Sequence, residues 1–137
     1  MDEKDRKRAG RSILSLLLAE DDDPLRESLV SFFLSEGYKV YPARTGTEAV
    51  EIALTRKVSF SIMDVNMPGL TGIEAFKYIS DEMGQMPCIF MSGDSSRDLL
   101  RMIEEAGAFS FLPKPIRIAM MKRSVEKLVG KYFLCEE

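Results

Sequence analysis

Residues 13–37 read ILSLLLAEDDDPLRESLVSFFLSEG. The apolar run 13–19 predicts a buried strand, because a short run without alternation is typical of strands that are covered on both faces. Asp23 and Pro24 then predict the start of a helix, since aspartate caps helices well and proline suits the first helical position. Gly37 predicts its end. The stretch is therefore one strand and one helix, joined by a turn of consecutive acidic residues.

The same strand-then-helix order recurs along the rest of the chain. Further strands are predicted at 39–43, 58–63, 88–91 and 109–112. Pro42 cannot donate to a strand ladder, so the second strand is expected at a sheet edge. The segments 45–48 and 71–74 both read Thr-Gly-x-Glu and predict capping boxes at helix starts. Five such units predict an α/β fold, a doubly wound parallel sheet with helices on both faces.

Length and composition limit the function classes. The chain has 137 residues, 45% hydrophobic, and a formal net charge of −3, which indicates one folded domain and no general nucleic-acid or membrane binder. We expect a flexible charged tail at 1–12, the domain at 13–130 and a C-terminal end at 131–137. There is no histidine, which excludes Ser-His-Asp hydrolases and His-ligated zinc. Cys88 and Cys135 have no metal spacing and are expected to be free thiols.

The N-terminal region resembles a signal peptide only superficially. Basic residues precede the apolar run, but that run spans seven residues and ends in four acidic ones. No stretch approaches the roughly 20 apolar residues of a membrane span. We therefore expect a cytoplasmic protein without a membrane partner.

Reactive side chains follow the predicted strands. Glu20 and Asp21 end the first strand, Asp64 the third and Ser92 the fourth, and Lys114 follows the fifth. In doubly wound sheets the carboxyl ends of the strands form the binding crevice. Carboxylate oxygens without histidine or cysteine select Mg²⁺, with Mn²⁺ as an alternative. Such a cation beside a lysine is a phosphoryl-binding arrangement.

These residues resemble the receiver domain of the response regulators of two-component signalling. The similar segments are 16–26, 63–72, 91–93 and 111–115, in the family's order. The resemblance covers about residues 13–129 and is closest in kind to stand-alone, chemotaxis-type regulators. It implies a flavodoxin-like sheet with strand order 2-1-3-4-5.

The resemblance also implies a phosphorelay function. Asp64 would accept a phosphoryl group from the phosphohistidine of a sensor histidine kinase or phosphotransfer protein. Mg²⁺ would be bound by Glu20, Asp21, Asp64 and the backbone carbonyl of Asn66. Lys114 would pair with a phosphoryl oxygen, and its bond to the following proline is a candidate for the cis form. The chain would be a phosphoacceptor switch and not an enzyme acting on a separate substrate.

The switch residues implied by the resemblance are Ser92 and Phe111. They stand where Thr and Tyr are frequent in the family. Ser92 keeps the hydroxyl, so the phosphorylation chemistry is expected to survive, while Phe111 cannot form the phenolic hydrogen bond that helps to hold the active rotamer. The output would be a changed surface of the fourth helix, fifth strand and fifth helix, which controls an unknown downstream protein or homodimerisation. Asn66 and Asp94, at the mouth of the site, would influence the lifetime of the phosphoryl group.

Other interpretations remain open at this point. Asp22 and Asp23 are expected to cap the first helix and not to bind metal. A Mg²⁺-dependent phosphatase with an aspartyl-phosphate intermediate is one alternative, although Asn66 replaces the second acid that it needs. A receiver fragment of a DNA-binding transcriptional regulator is another, although no helix-turn-helix is present and we expect no direct contact with nucleic acid.

Overall fold

The computed structural model describes residues 13–134, in which strands and helices alternate. The elements are β1 Ser15–Ala19, α1 Asp23–Ser35, β2 Lys39–Ala43, α2 Gly46–Thr55, β3 Phe60–Asp64, α3 Gly72–Met83, β4 Cys88–Ser92, α4 Arg97–Glu105, β5 Ser110–Pro113 and α5 Ile118–Tyr132. The strands form one parallel sheet in the order β2-β1-β3-β4-β5. The predicted fold is confirmed, and Pro42 does lie in an edge strand. The predicted tail at 1–12 and Cys135 lie outside the described residues.

The sheet separates two hydrophobic layers. One packs beneath α1 and α5 and includes Leu29, Phe33 and Leu128. The other packs beneath α2, α3 and α4 and includes Phe76 and Ile79. Because helices cover both faces, every residue of β3 and β4 is buried, which explains their nearly continuous apolar sequence. No helix among residues 13–134 is long and apolar enough to cross a membrane.

Several predicted boundaries are corrected by one or two residues. The first strand begins at Ser15, since Ile13 is 66% exposed. Of the two predicted caps of α1, Asp22 is confirmed and Asp23 is wrong, because it is the Asp22 side chain that accepts a hydrogen bond from the N–H of Leu25. The third strand runs from Phe60 to Asp64 and not over 58–63. The fourth and fifth strands also end one residue later than predicted, at Ser92 and Pro113.

The two Thr-Gly-x-Glu segments begin α2 and α3, as predicted. At Thr71 the capping box is complete: its hydroxyl accepts from the N–H of Glu74, and the Glu74 carboxylate accepts from the N–H of Thr71. At Thr45 the structure shows the hydroxyl accepting from the N–H of Glu48, which is one half of the box. Each capped start satisfies backbone groups that a helix leaves without partners, a contribution of about 1 kcal/mol.

Cys88 is a buried thiol on β4, and burial raises its pKa to about 12 from its ordinary value of 9.0. We predict that iodoacetamide leaves Cys88 unmodified in a folded Cys135→Ser variant and modifies it fully in guanidinium, as measured by mass. Raising the pH above 9 should lower the free energy of unfolding, because the unfolded thiol loses its proton while the folded one keeps it. Rapid labelling of the native protein would contradict this.

Candidate functional site

The predicted site residues meet at the carboxyl ends of the central strands. Asp64 is the last residue of β3, Ser92 is the last residue of β4, and Glu20 directly follows β1. Carboxylate oxygens of Glu20, Asp21 and Asp64 lie within 4.8 Å of one another. Glu20 and Asp64 are buried, whereas Asp21 is exposed. The parallel sheet therefore brings together three acids that are up to 44 positions apart in the sequence.

Lys114 directly follows the carboxyl end of β5, and its side chain contacts this acid cluster. Its Nζ donates a hydrogen bond to Asp64 Oδ2 at 2.7 Å, and it lies 2.7 Å from Glu20 Oε1 in an ion pair. The peptide bond from Lys114 to Pro115 is cis, as predicted. Burial acts to lower the pKa of Lys114, but the contacts with Asp64 and Glu20 outweigh it and raise that pKa above its ordinary value. Lys114 is therefore a fixed cation between two carboxylates.

Glu20 carries the most perturbed carboxyl group of the cluster. Burial raises its pKa to about 7, Lys114 and the N–H of Asp22 act to lower it, and Asp64 acts to raise it. Its Oε2 accepts from the N–H of Asp22 at 3.0 Å. Its Oε1 is buried and contacts Lys114 Nζ through the 2.7 Å ion pair. This oxygen has remaining capacity for a ligand.

The acid cluster fits a small divalent cation. Two unit charges 4 Å apart repel by about 4 kcal/mol at an effective dielectric constant near 20, so three carboxylates are stable together only with positive charge beside them. Lys114 supplies one charge, and the buried Glu20 Oε1 keeps a lone pair beyond its ion pair with Lys114. Oxygen ligands without nitrogen or sulfur are those that Mg²⁺ prefers.

The first turn of α1 contains a further residue of this region, Arg26, that the sequence pattern did not single out. Arg26 is buried, and its Nη1 donates to the carbonyl oxygen of Glu20 at 2.9 Å. Its Nη2 donates to Asp23 Oδ1, so Asp23 is an ion-pair partner and not the helix cap. The signal was present in the helix spacing: Arg26, Leu29 and Phe33 share the buried face of α1. An arginine on such a face predicts a buried, paired cation.

The loop after β3 holds Asp64 from its backbone side. Asp64 Oδ1 accepts from the N–H of Asn66 at 3.0 Å, and the N–H of Gly72 donates to the carbonyl of Val65 at 2.8 Å. A Cβ atom at Gly72 would lie 2.2 Å from the carbonyl oxygen of Asp64. The start of α3 therefore packs directly on the Asp64 backbone. The metal-binding role of the Asn66 carbonyl stays a prediction.

Ser92 is connected to the start of α4 by short polar contacts. The buried Ser92 hydroxyl accepts from the N–H of Asp94 at 3.0 Å, and Asp94 Oδ1 accepts from the N–H of Ser96 at 2.9 Å. Ser96 is the N-cap of α4. Phe111, on β5, is half-buried and packs against the hydrophobic layer beneath α2, α3 and α4. The switching roles of Ser92 and Phe111, and the lifetime role of Asp94, stay predictions.

Comparison with known proteins identifies a family that matches the same part of the chain. Residues 16–126 match the family described as "Response regulator receiver domain", within the predicted range 13–130. The transcriptional regulatory protein PdtaR of Mycobacterium tuberculosis is 35% identical over 118 residues, which are 85% of this chain and 57% of PdtaR. The two-component response regulator ORR3 of Oryza sativa is 32% identical over 119 residues, 84% of this chain and 91% of ORR3. The chain thus spans little more than half of PdtaR.

Solved structures resemble the fold closely. A CheY-like receiver domain protein from Methanospirillum hungatei has a TM-score of 0.83 and 21% identity, covering 88% of this chain and 96% of its own. The chemotaxis protein CheY4 of Vibrio cholerae has a TM-score of 0.80 and 24% identity, covering 85% of this chain and 98% of its own. At these identities the likeness establishes the fold. The phosphatase alternative is not favoured by the family match.

Proposed function

The chain belongs to the response-regulator receiver family, and from that premise we propose that Asp64 is its phosphoacceptor. Receiver domains are phosphoacceptor switches that histidine kinases phosphorylate. The observation that carries the proposal is the position of Asp64, buried at the end of β3, hydrogen-bonded to Lys114 and grouped with Glu20 and Asp21. A carboxylate at such a position is an oxygen nucleophile that is already oriented by the fold.

The phosphoryl transfer requires no proton donor from this chain. A carboxylate oxygen of Asp64 attacks the phosphorus of a phosphohistidine, so that a P–O bond forms while the P–N bond breaks. The donor's nitrogen keeps the electron pair of the broken bond, which is why this chain needs no histidine. Lys114 places its ammonium beside the oxygens that gain charge. The kinase or phosphotransfer protein that supplies the group is identified only by this chemistry.

Mg²⁺ is the proposed cofactor, with Mn²⁺ as the alternative. Glu20, Asp21, Asp64 and the backbone carbonyl of Asn66 would hold it. When bound, the cation neutralises charge on the phosphoryl oxygens. The support is the fit of the oxygen cluster, which includes the buried Oε1 of Glu20.

The output is proposed to be a changed surface. Ser92 would move when Asp64 is phosphorylated, because a dianionic group draws hydroxyl donors and cations towards it, and Phe111 would change rotamer together with Ser92. The face made by α4, β5 and α5 exposes large apolar side chains, namely Leu100, Met102, Ile118 and Met120. Such side chains suit a downstream protein or a second copy of the chain. We place this activity in the cytoplasm.

The direct test replaces Asp64 by asparagine. Incubation with Mg²⁺ and acetyl phosphate is expected to give a phosphoryl adduct on the wild type and none on Asp64→Asn, as measured by intact mass. Asp81→Asn, which changes an exposed aspartate on α3, is the matched control and should form the adduct like the wild type. An adduct on Asp64→Asn, or none on the wild type, would contradict the proposal.

Asp94 gives a separate prediction about the lifetime of the adduct. We expect Asp94→Ala to slow dephosphorylation roughly fivefold, because losing one hydrogen bond that orients the attacking water costs about 1 kcal/mol of barrier. Loss of adduct after removal of acetyl phosphate is followed by mass. Ser96→Ala serves as the control, since it alters the same loop without removing the carboxylate. An unchanged rate in Asp94→Ala excludes the role.

A further inference from the structure

Arg26 is a charged side chain that the phosphoryl chemistry does not use. Its side chain is 7% exposed, behind the acidic turn between β1 and α1. Nη1 donates to the carbonyl oxygen of Glu20 at 2.9 Å, and Nη2 donates to Asp23 Oδ1. An arginine is rarely buried without partners, and one of the two partners of Arg26 is a backbone carbonyl. The turn therefore satisfies the buried guanidinium, and the guanidinium in return restricts the backbone of the turn.

The backbone contact fixes the orientation of two acids together. The carbonyl of Glu20 and the N–H of Asp21 belong to one planar peptide group. The N–H of Glu20 donates to the carbonyl of Ala43 at 3.0 Å, so Glu20 is held on both sides along the chain. With that peptide plane fixed, rotation about the Cα–C bond of Glu20 and the N–Cα bond of Asp21 is restricted, which limits the directions that the two side chains can take.

Arg26 and Lys114 act on different parts of the acid cluster. Lys114 contacts the carboxylate oxygens of Glu20 and Asp64 directly. Arg26 contacts the Glu20 carbonyl from behind and leaves those carboxylate oxygens available. Because a charge-assisted hydrogen bond is stronger than a neutral one, a buried guanidinium is well suited to hold this peptide plane when the carboxylates repel each other.

We propose that Arg26 is a positioning residue for the cation site, because its buried guanidinium fixes the Glu20–Asp21 peptide through the Glu20 carbonyl. This rests on the proposed function, in which Glu20, Asp21 and Asp64 bind Mg²⁺. Groups that orient metal ligands without touching the metal typically contribute 10- to 100-fold to metal affinity. Arg26 thus belongs to the phosphorylation site without contacting the phosphoryl group.

The test measures Mg²⁺ binding without any phosphodonor. Titration calorimetry of Mg²⁺ into metal-free Arg26→Met is expected to give a dissociation constant roughly tenfold weaker than that of the wild type. The Mg²⁺ concentration needed for half-maximal adduct formation with acetyl phosphate should shift by the same factor, with the plateau retained. A merely structural arginine would lower the thermal midpoint and leave both Mg²⁺ readouts unchanged.

Two further variants make the result specific. Asp23→Asn removes the ion-pair partner of Arg26 but keeps the Glu20 contact, so its Mg²⁺ affinity should stay within about twofold of the wild type. Should Arg26→Met not fold, Arg26→Lys is measured in its place; it keeps the charge without the planar fork and should weaken binding roughly threefold. If the folded Arg26 variant binds Mg²⁺ as tightly as the wild type, the inference about Arg26 is overturned and the proposed function is not. A wild type that binds no Mg²⁺ overturns the proposed function, and the inference with it.

Discussion

Gly72→Ala is expected to lower the free energy of unfolding by about 3 kcal/mol, although alanine is normally the better helix residue. A Cβ atom at Gly72 would lie 2.2 Å from the carbonyl oxygen of Asp64 and 3.1 Å from Cα of Val65. These are backbone atoms of β3 and its loop, so no side-chain rotation relieves the clash. Overpacking of this kind costs about 1–3 kcal/mol and occasionally more, which exceeds the gain of up to about 1 kcal/mol from helix propensity.

The same clash should also impair phosphorylation in protein that remains folded. The atom displaced first is the carbonyl oxygen of Asp64, and a shift of the Asp64 backbone moves its carboxylate away from Lys114 and Glu20. We therefore expect slower adduct formation with acetyl phosphate at a temperature where circular dichroism shows Gly72→Ala to be fully folded. Misplacement of a reacting group by about 1 Å can cost roughly 100-fold in rate.

Gly130→Ala is the matched control for this prediction. Gly130 lies in α5, where an added Cβ would meet nothing within 4 Å, so the substitution should raise the free energy of unfolding by roughly 0.5–1 kcal/mol. Urea unfolding of both variants measures the difference. A Gly72→Ala variant as stable as the wild type would contradict the close contact between Gly72 and the Asp64 backbone.

The strand-and-helix order could be predicted from the sequence because each element signals itself locally. Apolar runs, the edge proline Pro42 and the capping segment at Thr71 require no knowledge of distant residues. The errors lie where tertiary pairing decides. Asp64 and Ser92 belong to β3 and β4 because the ladder continues to them, Asp64 opposite Met91 and Ser92 opposite Pro113. A polar residue at a strand end carries no local sign of that pairing.

The grouping of the three acids was predictable, but the contacts around them were not. Acids at the ends of β1 and β3 are visible in the sequence, and the doubly wound fold places them at one edge. That Lys114 crosses from β5 to contact both Glu20 and Asp64 depends on strand order and side-chain packing, which no local pattern contains. Arg26 was missed because a charged residue is normally assigned to the solvent face, although its spacing with Leu29 places it on the buried one.

Lys114→Met is expected to have three separable effects, all of which follow from the loss of one ammonium between two carboxylates. The metal-free protein should be less stable by about 2 kcal/mol. Breaking a buried ion pair costs about 3–5 kcal/mol, but the Lys114 side chain is 24% exposed, so solvent screens part of that cost. Methionine keeps most of the apolar length of lysine, which confines the change to the charge.

The destabilisation should depend on pH in a defined direction. Burial already raises the pKa of Glu20 to about 7 with Lys114 present, and removal of the lysine removes an influence that lowers it. At pH 6 the folded Glu20 carboxyl is largely protonated with or without the lysine, so losing the ammonium costs little through this group. At pH 8 Glu20 is ionised in the folded wild type, where Lys114 stabilises the charge. In Lys114→Met its pKa is higher and that stabilisation is missing, so the variant should lose more stability at pH 8. Adding Glu20→Gln should recover much of the loss at pH 8.

Mg²⁺ binding and phosphorylation should change in opposite directions in Lys114→Met. The lysine competes with a cation for the oxygens of Glu20 and Asp64, so Mg²⁺ affinity should rise severalfold and excess Mg²⁺ should restore stability. Adduct formation should nevertheless slow roughly 100-fold, because no ammonium offsets charge on the transferring group. Lys122→Met is the control: its 3.6 Å ion pair is with Glu36 and involves no residue of the acid cluster, so neither readout should change. Tighter Mg²⁺ binding together with slower transfer would show that Lys114 acts on the phosphoryl group and does not only neutralise the acids. An unchanged transfer rate would exclude an action on the phosphoryl group.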